Sequence, residues 1–177
     1  MGTYHKIYTV SDQADNGSAY SSGNFFSGVL ENYNYSNGDT SDVFLRFQNV
    51  AVPPGARIIT AYLRLWGIQW PGSEGQRRTL RDKIYCGKSV GALPPGSHEE
   101  YNSALKTDVF QQTIDDLLLD PGYLPVTPGD ISIYDIANYS DTLDISAPLQ
   151  DLIKERSWAF GSSVTLYMIT DGWQPGD

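Results

Sequence analysis

The chain has 177 residues, of which 12 are Lys or Arg and 21 are Asp or Glu, giving a formal charge of −9; hydrophobic residues make up 40% and charged residues 19%. This is the balance of a folded domain long enough to bury its own core. Its acidity disfavours a general nucleic-acid binder or a partner on an anionic membrane, both of which depend on surplus Lys and Arg. One cysteine, Cys86, and two histidines, His5 and His98, leave no internal disulfide, no zinc site and little material for His-based catalysis.

The N-terminal MGTYHKIYTV has no basic segment leading into an apolar run, and no stretch stays apolar for about 20 residues. A chain with neither secretory signal nor membrane span is expected. Residues 11–41 are rich in Ser, Asn, Gly and Asp with interspersed Tyr and Phe, which predicts short strands and turns lying over a sandwich. The clearest strand is 42–50, where Val43, Leu45 and Phe47 alternate with Phe44, Arg46 and Gln48. A Val-Pro-Pro-Gly-Ala turn follows, and 57–68 reads as a second strand with Ile59, Ala61, Leu63 and Leu65 on one face. Residues 69–82 read as a polar loop, 83–90 as a strand and 91–100 as a loop; 102–119 fits neither period cleanly.

Short strands are predicted at 131–136 and 141–146. One helix is predicted at 148–156, with Leu149, Leu152 and Ile153 at helical spacing, Ser146 as N-cap, Pro148 in the first turn and Lys154 and Arg156 in the last. The last strong strand is 162–170. The whole is expected to be one domain, 1–177, loop-rich over 1–41 with its core over 42–172. The predicted core contains Leu45, Phe47, Ile59, Leu63, Leu65, Leu149, Leu152, Val164 and Leu166. Aromatic-rich, Gly/Pro-punctuated composition suits an all-β antiparallel sandwich.

Three blocks carry a family resemblance. FLRFQNVAVPPGARIITAYLRLW (44–66) pairs an Arg-Phe strand, a Pro-x-Gly-Ala turn and a strand ending in Leu-Arg-Leu. DISAPLQDLIKERSWAFGSSVTLYMITDG (144–172) joins a short helix to a Gly turn and a final strand. KIYCGKSVGALPP, with NSALKT further on, is a partial third. The chain thus resembles the DNRLRE-type, disaggregatase-related, carbohydrate-binding-like jelly-roll modules, and stand-alone versions of these in tailed-phage virions. The likeness covers about three quarters of the sequence and is poor over 108–130. It implies an antiparallel jelly-roll β-sandwich with one short α-helix near 147–156. Modules of this kind usually continue past Thr-Asp-Gly with another strand, so the last edge strand is expected to be missing, shortened, or supplied by the N-terminus or a partner chain.

The function implied is that of a non-catalytic bacteriophage virion surface protein, a capsid decoration or tail-associated module. Its expected partners are major capsid or tail proteins and host glycans, with homo-oligomer or lattice contacts, no nucleic acid and no membrane. Its expected location is the virion surface after synthesis in the host cytoplasm. The alternative is a carbohydrate-binding module of an exported, extracellular polysaccharide-acting protein. Catalysis is not expected, since the acidic pairs Glu99/Glu100, Asp115/Asp116 and Asp141/Asp144 sit in no catalytic pattern and no Gly-x-Ser-x-Gly occurs.

Flat rings stack on sugar faces, so Trp70, Trp173, Tyr33 and Tyr35 are candidate glycan or partner contacts, with Arg77 and Arg78 beside them. No cofactor is required. Asp12, Asp15 and Asn16 form a candidate Ca²⁺ site, because oxygen-bearing loop residues suit that ion; the same residues also make turns.

Overall fold

The computed structural model describes residues 4–10, 12–28, 33–34, 40–68, 80–107, 114–119, 137–141 and 144–170. A 3-10 turn, Gln13–Asp15, leads into β1 (Asn16–Tyr20), β2 (Phe25–Ser27), β3 (Tyr33–Asn34), β4 (Thr40–Val50), β5 (Arg64–Ile68), β6 (Leu80–Cys86), helix α1 (His98–Thr107), β7 (Ile114–Leu119), β8 (Ala137–Asp141), helix α2 (Ser146–Lys154) and β9 (Ser162–Thr170). The architecture is mostly β. Seven strands form one sheet in the order β2-β1-β4-β9-β6-β7, with β3 also on β4, and β5 pairs with β8 separately. Every pairing is antiparallel.

The centre of the sheet is set by period-two patterning. Val43, Phe44 and Leu45 of β4 lie opposite Met168, Tyr167 and Leu166 of β9, and β6 continues the rows with Ile84, Tyr85 and Cys86. One face carries Val43, Leu45, Ile84, Cys86, Val164, Leu166 and Met168, and packs against Leu63, Ile145, Leu152, Ile153 and Trp158. The other carries Ala19, Phe44 and Tyr167 and packs against Tyr101 of α1. Helix α2 and its flanks therefore cover one face and α1 the other. The Phe44 ring can lie flat over β1 because Gly17 stands opposite it: a Cβ there would come within 2.6 Å of the ring and 2.7 Å of the Phe26 carbonyl oxygen.

The register of β4 shifts between Phe47 and Val50, where Asn49 adopts φ 54°. This bulge changes the parity of the strand, so Val50 points into the same core as Val43 and Leu45. Gly161 N–H then donates to the Val50 carbonyl, and Trp158 Nε1 donates to that of Val52 at 2.9 Å.

Several expectations need correction. The described residues hold two α-helices where one is predicted: 98–107, read partly as loop, is α1. The residues of 11–41 that are described do not lie over the sheet; they extend it, as β1, β2 and β3. Within 57–68 only Arg64–Ile68 is a strand. Residues 57–63 run beside α2 with no ladder partner along their length to impose alternation. Ile58, Ala61 and Leu63 face the core, and Ile59 is 63% exposed.

This segment is held at separate points. Ile58 N–H donates to Gln150 Oε1 at 2.8 Å, Gln150 Nε2 donates to the Ala56 carbonyl, and Ile145 N–H donates to that of Ala61. Strand 83–90 is observed at Leu80–Cys86. The predicted strand 131–136 lies outside the described residues, and of the described residues of 141–146 only Asp141 is in a strand.

Helix α2 begins at Ser146, with Ile145 in the cap position and no side-chain cap from it. The oxygen that caps belongs instead to Asp144, whose Oδ1 accepts from Ser146 N–H at 2.9 Å and Ala61 N–H at 3.0 Å. Phe47 and Leu149 are partly buried against the core, and the Leu65 side chain lies outside the described set.

One ion pair fastens the N-terminal turn to the sheet. Arg46 Nη1 lies 2.7 Å from Asp15 Oδ1, the two side chains being 11% and 3% exposed. Arg46 Nη2 donates to Ser163 Oγ at 3.1 Å, and Gln48 Nε2 donates to Asp15 Oδ2. Removing one partner strands a buried charge, which costs more than removing both. Asp15→Ala is expected to lower unfolding free energy by about 3 kcal/mol. The double variant Asp15→Ala/Arg46→Met is expected to lose less than the single one, as read from urea melts.

The Ala61 and Ser146 backbone N–H groups hold the Asp144 carboxyl below the ordinary aspartate range. A lowered folded-state value contributes stability above the unfolded-state value, and that contribution is lost as pH falls through the folded-state value. Asp144→Ala should therefore lower the Tm at pH 7, and the gap from wild type should close in acid thermal melts.

Candidate functional site

A pocket opens where α1 crosses the end of the β1–β4 pair. Its volume is about 290 Å³, and it is lined by Ala19, Tyr20, Ser21, Asp42, His98, Tyr101 and Asn102. Three segments meet here for identifiable reasons. Register places Ala19 opposite Asp42 and Tyr20 opposite Ser41, so the end of β1 and the start of β4 form one wall. Asp42 is two residues from Phe44 on the strand and so shares the face that α1 covers.

The second wall is α1. Its start is built by Ser97, whose Oγ accepts from Glu100 N–H at 3.2 Å and whose carbonyl accepts from Tyr101 N–H at 3.0 Å. Glu100 Oε2 reaches back to accept from Gly96 N–H at 2.7 Å. This is a capping box with its return bond one residue further out than usual. His98, Tyr101 and Asn102 then fall at i, i+3 and i+4, on one helix face. Tyr101 is 1% exposed and meets Tyr167 edge-on, with ring centroids 5.7 Å apart. That contact seats α1 on the sheet, while Asn102 Nδ2 lies 3.1 Å from His98 Nδ1.

The expected sites are placed as follows. Trp70, Trp173, Tyr35, Arg77 and Arg78 lie outside the described residues. Tyr33 is in β3 opposite Ser41, its side chain outside the described set. Asp15 lies in the 3-10 turn and Asp12 and Asn16 flank it, each with a local role. Asp12 Oδ1 accepts from Ala14 N–H at 2.9 Å, Asp15 is neutralised by Arg46, and Asn16 Nδ2 reaches the Asp12 carbonyl at 3.5 Å. A carboxylate already matched to a guanidinium offers little net charge to a Ca²⁺ ion. Among the described residues no group of three or more His, Cys, Asp or Glu converges, and no helix is long and apolar enough to cross a membrane.

His98 falls in the stretch 91–100 that reads as loop and Asn102 in the stretch 102–119 that fits neither period, so sequence reasoning does not bring His98, Tyr101 and Asn102 together. The missed signal is Ser97-His98-Glu99-Glu100, the Ser-x-x-Glu spacing of a helix start. The chain matches no protein-family model, no curated protein and no solved structure.

The wall formed by α1 depends on its cap and its tyrosine. Ser97→Ala is expected to lower the protection of the α1 amides in hydrogen exchange by about 1 kcal/mol. Tyr101→Ala empties a buried ring site and is expected to cost about 3 kcal/mol of global stability in denaturant unfolding.

Proposed function

We propose that this chain is a non-catalytic adhesion module on the surface of a bacteriophage particle, folded as a jelly-roll-like β-sandwich, that attaches to capsid or tail proteins and to host glycans. The supporting observation is the presentation of Ile59 and Tyr62. They are 63% and 59% exposed on a segment that hydrogen bonds from Ile58 and Ala61 hold to α2 and its flank. Side chains displayed on a pinned backbone lose little conformational entropy when a partner covers them. Large aromatic and aliphatic anchors of this kind dominate interface energetics. Phe160, in the turn before β9, and Leu93 are similarly exposed. The placement on a phage particle rests on the sequence resemblance; many copies on a lattice would multiply weak contacts.

A second reading, a carbohydrate-binding module of an exported polysaccharide-acting protein, is favoured by the polar pocket under α1. Trp70, Trp173, Tyr33 and Tyr35 would add stacking surface.

The particle reading is tested by co-sedimentation of the purified chain with phage particles from a lysate of the source strain. Wild type should pellet with particles, and Ile59→Ser/Tyr62→Ser should lose about tenfold in retention, equivalent to about 1.4 kcal/mol. Recovery of the native protein only in the particle-free fraction would overturn it. Glycan-array binding that Trp70→Ala or Trp173→Ala abolishes would instead establish the carbohydrate module.

A further inference from the structure

The two ends of the sheet differ in charge and in what they expose. Strand β4 finishes at Val50, and the N-terminal segment and the turn before β9 are both fastened to the residues that end it. Ala51 N–H donates to the Tyr8 hydroxyl, Gly161 N–H to the Val50 carbonyl and Trp158 Nε1–H to the Val52 carbonyl. Next to these anchors Ile7 is 79% exposed and Phe160 68% exposed, and Pro53 and Pro54 lie open in the adjoining turn.

Exposed cations accompany them. Lys6 precedes Ile7, Arg57 follows the proline turn, Lys88 follows β6, and Lys154 and Arg156 end and follow α2 ahead of Phe160. Their carboxylate neighbours in sequence are Asp12, Asp151 and Glu155. Residues 4–10, 12, 51–58, 87–93 and 151–161 thus hold five of the 12 Lys and Arg residues but three of the 21 Asp and Glu residues, a surplus of two positive charges. The remainder of the sequence, with seven and 18, stands at −11. Strand β4 begins at Thr40, about 30 Å from that corner. There α1 starts against Tyr20 and Asp42, and its first turn exposes Glu99 and Glu100. Charges so far apart do not neutralise each other within one molecule, since the Debye length is about 8 Å at physiological ionic strength.

We infer that the apolar, cationic corner docks on the acidic α1 end of a second copy of this chain, head to tail along the strand direction. Two corners face to face would oppose like charges, so the contact joins unlike surfaces. Ile7 and Phe160 supply the apolar area, beside hydrogen bonds that leave the backbone little freedom to lose. The cations around them select the acidic surface. Each pair keeps one unused corner and one unused acidic end, so the contact propagates into a row or closes as a ring. It needs no particle.

The test is sedimentation velocity of the full chain from about 10 μM to about 1 mM. Association should pass beyond the dimer as concentration rises, and should weaken about tenfold between about 50 mM and about 500 mM NaCl. Phe160→Asp/Arg156→Glu should be monomeric, and so should Glu99→Lys/Glu100→Lys, each with the circular dichroism of the wild type. An equimolar mixture of the two should form dimers and stop there, because only one intact contact can be made. If the α1 variant does not fold, the corner variant mixed with wild type should shorten the wild-type assemblies by capping one end.

A wild-type chain that stays monomeric in low salt, or that stops at a dimer, would overturn the assignment. So would association undiminished in the folded variants. A monomeric chain that instead pellets with phosphatidylglycerol vesicles through Phe160 and Arg156 would give the corner to a lipid surface. None of these results bears on co-sedimentation with particles through Ile59 and Tyr62, so failure here is distinct from failure of the adhesion reading.

Discussion

Strands β4 and β9 have to hide both of their faces, and the rest of the molecule is arranged to let them. Val43, Leu45, Leu166 and Met168 point one way and Phe44 and Tyr167 the other, and all six are at most 4% exposed. A sheet whose central pair is apolar on both sides cannot stand with one face in water. It needs a layer above and a layer below. The chain supplies them from distant segments: Leu63, Leu152, Ile153 and Trp158 on one side, Tyr101 with Ala104 and Leu105 on the other. The N-terminal strands and β6 widen the sheet, so that the paired centre has no open edge.

Polar residues share these faces beside the apolar ones, and the buried charge of Arg46 is matched by Asp15. On the side that α1 covers, β4 presents Asp42, Phe44, Arg46 and Gln48 in sequence. Phe44 lies under the helix. Arg46 and Gln48 both reach Asp15, so the turn before β1 is tied to the strand it will pair with. Asp42, at the opposite end of the row, lines the pocket. One strand face thus holds an aromatic anchor, an ion pair and a wall of the candidate site, spaced by the two-residue repeat alone. At the far face Asp144 does a related job for backbone: one carboxylate oxygen serves the first helical N–H of α2 and the N–H of Ala61, joining helix and covering segment.

The parts of this fold legible in the sequence are those where one local period meets one buried face. The alternation of 42–50 and 162–170 identifies β4 and β9, and Leu149, Leu152 and Ile153 identify α2 to within two residues at each end. Residues 57–63 mislead because their backbone is held by Gln150, Asp144 and Ile145 and not by a sheet ladder, so Ile58 and not Ile59 turns inward. Helix α1 is hidden by its composition: Tyr101, Ala104 and Leu105 give a thin apolar stripe, and only the cap announces it. The site is less legible still. Its walls come from 19–21, 42 and 98–102, which no local spacing connects, and register and one tyrosine–tyrosine contact bring them together.

Helix α1 is ten residues long, and a helix that short is marginal in water by itself. It persists here because Tyr101 is sunk into the sheet and Ser97 closes its first turn. The pocket wall is therefore only as permanent as that seat. Local opening that lifts Tyr101 removes the helix and the cavity in one event, and any molecule that bound in the cavity would stabilise the closed form by mass action. Cavity and helix at this end of the sheet are one folding unit, so whatever would fill the cavity would also brace the helix that encloses it.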